Sequence, residues 1–238
     1  RYAVARLSAY SNVWWSLANE FDYIPCKRVE HWTSLFDELR RVDAHRRLAS
    51  IHNSPDHPGP FPRSDHPAIS HYSVQFPPSW KRGQRADHTR ALLSGAHGGI
   101  KPVVWDEAQY EGDMKEAWGK LSAAEMVERF WEGAMLGAYV GHSETLLGGA
   151  SWEDGDPTLW WSKGGTLRGQ SPASIAAFSV WAAERGEHPP FAALEPAGKE
   201  GSVQLARLHG SAKRDLGQLV LLARGEYAIF LLPRAGNW

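Results

Sequence analysis

Short, nearly continuous apolar runs alternate along this chain with longer stretches in which apolar residues recur every three to four positions. The first run, Val13-Trp14-Trp15-Ser16-Leu17, predicts a strand over 13–18, and four more strands follow at 48–52, 69–75, 100–105 and 137–141. Runs without strict alternation suit strands buried on both faces, as in parallel sheets. Residues 3–11 read as the end of a helix. Helical spacing is plain over 28–47, where Trp32, Leu35, Phe36 and Leu39 share one face opposite a charged one. A basic segment near 84–93 is compatible with a helix but has a weak apolar stripe. Ser122 and Glu125 fit a capping box, and Met126, Val127, Phe130 and Met135 supply an apolar face behind it. Ser171-Pro172 starts a further helix, with proline in its first turn, that runs to about 185.

Strands that alternate with helices imply a parallel sheet with helical crossovers. The residues able to do chemistry cluster just after the predicted strand ends: Asn19-Glu20, His52-Asn53, Gln75, Asp106-Glu107 and His142. Parallel α/β folds place their sites there. The texture changes after 187, where His188-Pro189-Pro190 reads as a linker. The apolar runs 218–223 and 227–232, separated by Arg224-Gly225-Glu226, read as a hairpin opening a small β module. The expected division is therefore an α/β unit over 1–187 and the start of a β-rich module over 188–238.

Composition narrows the function. A net charge of −1 gives no global field for nucleic acid, and no polybasic run suggests a membrane surface. Lys81-Arg82-Gly83-Gln84-Arg85 is short and reads as a solvated helix start. No apolar stretch has the roughly 18–20 residues that a membrane-spanning helix needs. Cys26 is the only cysteine, so neither an intrachain disulfide nor a cysteine-based zinc site is expected. The eleven histidines, with His52, His57, His66, His71, Asp56 and Asp65 close in sequence, invite a metal reading. No His-Glu-x-x-His or comparable ligand spacing supports it, so neither metal nor other cofactor is expected. The glycine pairs Gly98-Gly99 and Gly164-Gly165 match no phosphate-binding fingerprint. Tryptophan is abundant at 12 residues, including Trp14-Trp15, Trp105 and Trp160-Trp161. Most such residues pack cores, but an indole face also stacks on the apolar face of a pyranose.

Two glutamates at separate strand ends fit glycosidic cleavage. One carboxyl must be protonated to help the leaving oxygen depart, and the other must be ionised to attack the anomeric carbon. Retention of configuration requires the two to lie about 5–5.5 Å apart. Asp22, Asp106, Glu111 and Glu144 are rival carboxylates. Asp106 is the most serious, since neighbours in a strand point to opposite faces and only one of Asp106 and Glu107 can face a pocket squarely.

The segments Val13-Trp14-Trp15-Ser16-Leu17-Ala18-Asn19-Glu20 and Lys101-Pro102-Val103-Val104-Trp105-Asp106-Glu107 resemble the fourth and seventh strand ends of clan A glycoside hydrolases. The wording Asp106-Glu107-Ala108-Gln109-Tyr110-Glu111-Gly112 and Trp131-Glu132-Gly133-Ala134 is similar to the apiosidase-like glycoside hydrolases, bacterial barrel proteins that often carry a small C-terminal β domain. The resemblance covers roughly 1–186. It implies a (β/α)8 TIM barrel of which this chain holds strands four to eight. It also implies a retaining glycoside hydrolase with Glu20 as acid/base and Glu107 as nucleophile. Asn19 would bind the sugar 2-hydroxyl; His52, Gln75 and His142 would bind hydroxyls or orient carboxylates; Trp105 and Trp160 would stack on the sugar. Trp14 or Trp15 would form the apolar wall beside Glu20. The partner is a carbohydrate, with the oligomeric state left open, and secretion would suit a polysaccharide-degrading enzyme. Strands one to three lie outside the chain, so by itself it is expected to be inactive, poorly folded or forced to oligomerise. The alternative is a non-catalytic carbohydrate-binding barrel or an inactive fragment.

Overall fold

A computed structural model describes residues 1–146, 167–184, 220–222 and 228–230. The chain alternates helices and short strands in this order: α1 (Tyr2–Leu7), β1 (Trp15–Ser16), α2 (Val29–Val42), β2 (Ala49–Ser50), β3 (Tyr72–Gln75), α3 (Arg82–Leu93), β4 (Val103–Glu107), β5 (Glu111–Gly112), α4 (Ala123–Met135), β6 (Tyr139–Val140), β7 (Glu144–Thr145), α5 (Ser171–Ala183), β8 (Val220–Leu222) and β9 (Ala228–Phe230). Single 3-10 turns at Phe21–Tyr23 and Ala117–Gly119 follow β1 and β5.

The main strands are parallel and lie side by side in sequence order. β1 pairs with β2, and β3, β4 and β6 form a second sheet in that order. A parallel bridge between His52 and Ser73 connects the two. The five predicted strands therefore all form, but in small sheets, and the described residues contain no closed barrel. The observed strands are shorter than predicted. β1 keeps only two residues of the apolar run, though its ladder extends through Trp15 N–H to Leu48 O at 2.8 Å and Leu17 N–H to Ser50 O at 3.0 Å. β5 and β7 add a separate parallel pair, and β8 and β9 an antiparallel one.

Two apolar clusters hold these layers together. Tyr72, Val74, Val103 and Trp105 of β3 and β4 pack with Ala86 and Leu92 of α3 and Met126 of α4. Ala49 and Ile51 pack with Trp32, Phe36 and Leu39 of α2, with Val4 of α1, and with Phe61 and Ile69. Complete burial of a side chain such as Phe36 contributes about 1.5–3 kcal/mol. Leu35, expected on the same face, is 43% exposed, because the buried stripe runs through 32, 36 and 39 and leaves it at the margin. On α4 the capping box forms: Ser122 Oγ accepts from Glu125 N–H at 3.3 Å, and Glu125 Oε2 accepts from Ser122 N–H at 2.8 Å. Val127 and Phe130 are only half-buried there, while Met126, Trp131, Ala134 and Met135 are buried.

The basic segment before and within α3 is not the solvated helix start its sequence suggests. Arg82 and Arg85 are buried and pair with Glu128 and Glu132 of α4. Arg85 reaches Glu132 Oε2 through Nε at 3.2 Å and Nη2 at 2.6 Å. The weak apolar stripe of α3, with Ala86 and Leu92 in the core, is thus supplemented by an ionic seam against α4 in which Arg82, Arg85 and Glu132 are buried and Glu128 half-buried.

Candidate active site

The chemistry-bearing residues lie where the parallel strands end. β1 runs into Asn19 and Glu20. Glu20 has φ 45° and ψ 55°, a left-handed conformation that a residue with a Cβ adopts at some cost. The strand is stopped by that turn, and Phe21 N–H then donates to His52 O at 2.9 Å, which ties this loop to the end of β2. His52 is buried, and its Nδ1 lies 2.8 Å from Asn19 Oδ1 and 3.7 Å from Glu107 Oε1. With Asn19 Oδ1 as acceptor, Nδ1 is the donor of this pair, and Glu107 lies beyond hydrogen-bond distance. Nε2 is buried without a hydrogen-bond partner.

β3 and β4 fall out of step at their ends. Val74 is opposite Trp105, but Gln75 is opposite Glu107, so Asp106 is an extra residue in β4 and the pair carries a bulge. The bulge brings both adjacent carboxylates to the Ser73–Gln75 face of the sheet, where strict alternation would have opposed them, and gives them different partners. Asp106 accepts from Ser73 Oγ. Glu107 comes level with Gln75, whose Nε2 donates to Glu20 Oε1 at 2.8 Å and to Asn53 O at 3.0 Å. One amide therefore stands beside one glutamate and holds the other. Gly141 makes room for the bulge: a Cβ there would lie 2.7 Å from Asp106 O, and its N–H donates to Trp105 O at 2.8 Å.

Burial pushes the Glu107 carboxyl above its ordinary range, as do the nearby charges of Glu20 and Asp106. A hydrogen bond from the Tyr110 hydroxyl and the proximity of His52 oppose that rise without cancelling it. Burial and Glu107 together also raise Tyr110.

Of the residues singled out in the sequence, Asn19, Glu20, His52, Gln75 and Glu107 are brought into one connected set. Trp105 is not part of it. It is fully buried, packs edge-on against Phe76 at 4.9 Å between ring centroids, and donates from Nε1 to Thr89 Oγ1 of α3 at 3.1 Å. The helix side of the sheet takes its indole, so no face is left for a sugar. His142 turns instead to the start of α5, with Nε2 2.9 Å from Ser171 Oγ. Trp14 stacks on His71, and Trp15 Nε1 donates to Asp43 Oδ2 at 3.0 Å, so both have partners outside this set. Trp160 lies outside the described residues.

The rival carboxylates have structural partners. Asp22 accepts from Ser54 N–H at 2.8 Å and from Ser54 Oγ, and its Oδ2 lies 2.9 Å from His57 Nδ1. Burial pushes the Asp22 carboxyl up, but these bonds outweigh it and the net direction is down. Glu111 and Glu144 stand opposite each other in β5 and β7. They accept the backbone N–H groups of Arg168, Gly169, Gln170 and Ser171 at the start of α5. The histidines and aspartates of the metal reading scatter: His52 goes to Asn19, His57 to Asp22, His66 to Asp37 and His71 to Ser70. Among the described residues no three histidine, cysteine, aspartate or glutamate side chains gather as for a metal ion.

Tyr110 is the member of the site that the sequence did not mark. Its place depends on the left-handed turn at Gln109, with φ 73°, and neither periodicity nor spacing announces that turn.

No model of a known protein family matches the chain, and no curated protein matches it. Among solved structures, it is similar to a protein of Bacteroides vulgatus ATCC 8482 named a "putative glycoside hydrolase", with 31% sequence identity and a TM-score of 0.64. The match covers 77% of this chain and 33% of the Bacteroides protein, so the chain corresponds to about a third of that protein's length.

Proposed function

We propose that this chain supplies the catalytic carboxylates of a retaining glycoside hydrolase acting on a poly- or oligosaccharide. The observation that carries the reading is Gln75, level with Glu107 in the sheet and hydrogen-bonded to Glu20. The likeness to the Bacteroides protein supports the same class. In this reading the five parallel strands are the C-terminal part of a (β/α)8 barrel of the clan A type, similar to the apiosidase-like proteins. Residues 188–238 begin a β module.

Glu107 attacks the anomeric carbon while Glu20 gives its proton to the leaving oxygen. A glycosyl ester on Glu107 results. Glu20, now a carboxylate, takes a proton from water, the water oxygen bonds to the anomeric carbon, and Glu107 leaves as a carboxylate. His52 donates from Nδ1 to Asn19 Oδ1, which orients Asn19, and lies close to the Glu107 carboxylate. Asn19 is exposed and keeps its amide nitrogen for a sugar hydroxyl.

The test uses the longest polypeptide that carries this sequence. Product NMR should show retained configuration. Glu107→Ala should abolish turnover, with azide giving the inverted glycosyl azide. Glu20→Ala should lose roughly 10²–10⁴-fold on oligosaccharides and far less on aryl glycosides with good leaving groups. A crystal structure should place the two carboxyls about 5–5.5 Å apart. Sugar binding with no hydrolysis by the unaltered polypeptide would instead identify a carbohydrate-binding barrel, and full activity in both variants would overturn the assignment of Glu20 and Glu107.

A further inference from the structure

We infer that Tyr110 is a positioning residue for Glu107, its hydroxyl fixing the orientation in which the carboxylate meets the anomeric carbon; this rests on the reading of Glu107 as nucleophile. The hydrogen bond between the two side chains is direct. What distinguishes Tyr110 from an incidental neighbour is how firmly it is held. Its N–H donates to Trp118 O at 3.0 Å, and its carbonyl accepts from Leu121 N–H at 2.9 Å. Its ring is buried and meets the Trp118 ring edge-on at 5.4 Å. The preceding residue, Gln109, takes the left-handed turn that folds the chain back over the end of β4, and its Oε1 accepts from Arg129 Nη2 of α4 at 2.7 Å. Position 110 is therefore tethered by backbone, ring and adjacent side chain to elements outside the site. A hydroxyl placed in this way holds a carboxylate without the entropy cost that a mobile donor would add.

The charged and titratable groups around Glu107 are Tyr110, His52, Glu20 and Asp106. Tyr110 and His52 favour its ionised form; Glu20 and Asp106 oppose it. Removing the Tyr110 hydroxyl should therefore move the Glu107 titration upward, by about 1–2 pH units for a lost hydrogen bond to a charged group.

Tyr110→Phe keeps the ring against Trp118 and removes only the hydroxyl. In the longest polypeptide, labelled with 13C at glutamate carboxyls and assigned with Glu107→Gln, the Glu107 signal should titrate higher in Tyr110→Phe. The acid limb of kcat/KM should move by the same amount, and kcat should fall about 10²-fold while KM changes little. If Tyr110→Phe does not fold, replacing tyrosine with 3-fluorotyrosine gives a stronger donor and should move the Glu107 titration down. An unchanged Glu107 titration in a folded variant overturns the proposal. A shifted titration in a protein that hydrolyses no glycoside supports the Tyr110–Glu107 pairing and refutes only the reading of the site as a glycosidase.

Discussion

Glu111 sits four residues after Glu107 and could be mistaken for a catalytic carboxylate; its surroundings make it a clamp on α5, and that is open to test. Its oxygens accept Gln170 N–H at 2.8 Å, Ser171 N–H at 3.0 Å and the Ser171 hydroxyl. Burial alone would push the Glu111 carboxyl up, but these three bonds and nearby His142 bring it below its ordinary value of 4.5. A depressed carboxylate contributes stability that is present above its unfolded pKa and is lost as pH falls through the folded pKa. The loss should therefore begin near pH 4.5 and continue below it. Hydrogen bonds to a charged group contribute about 1.5–3 kcal/mol each and are not additive within one cluster. Glu111→Gln keeps an acceptor and should cost about 2 kcal/mol, and Glu111→Ala, which strands the donors, about 4 kcal/mol. Urea unfolding from pH 7 to 3, with amide exchange at the first turn of α5, measures both. The glutamine variant should also show a flatter stability profile below pH 4.5. Unchanged stability and exchange in Glu111→Ala would refute the clamp. A loss of turnover far beyond the loss of folded protein would move the nucleophile assignment from Glu107 to Glu111.

Other expectations follow from the same contacts. Trp105→Ala should lower stability by about 3–5 kcal/mol, measured by denaturant unfolding, and leave sugar affinity of the folded fraction unchanged. Arg85→Met should cost about 3–5 kcal/mol by stranding Glu132, and Arg85→Met with Glu132→Leu should recover most of it in the same assay. Burial holds Glu132 above the ordinary carboxylate range, so the penalty of Arg85→Met should shrink as pH falls and Glu132 takes up a proton. Ser122→Ala removes the cap of α4 and should cost about 1 kcal/mol by thermal or urea unfolding.

Much of this was legible in the chain because local and tertiary signals agree. The apolar runs become parallel strands, and Ser122 with Glu125 caps the helix that follows it. Glu20, Gln75, His52 and Glu107 come together because a parallel sheet gathers its strand ends on one edge. Other features are tertiary and left no local trace. The apolar Trp105 fits both a core and a sugar platform, and only Thr89 and Phe76 on its helix side settle its place. Arg82 and Arg85 look solvated until α4 brings Glu128 and Glu132 to them. The rivalry of Asp106 and Glu107 assumed strict alternation, which the bulge breaks.

That one extra residue has a wider consequence. Up to Trp105, β4 alternates in a frame dictated by the core; after Asp106 it counts in a second frame dictated by the strand ends. The two are uncoupled, so substitutions that repack the core need not rotate Glu107, and a change of chemistry at the rim need not disturb Trp105. Deleting Asp106 would return the pair to regular register with Trp105 still opposite Val74 and Glu107 still opposite Gln75, at the loss of the carboxylate that accepts from Ser73 Oγ, whereas exchanging its side chain would leave the bulge in place. For anyone redesigning this protein, the bulge is the seam along which scaffold and chemistry can be altered separately.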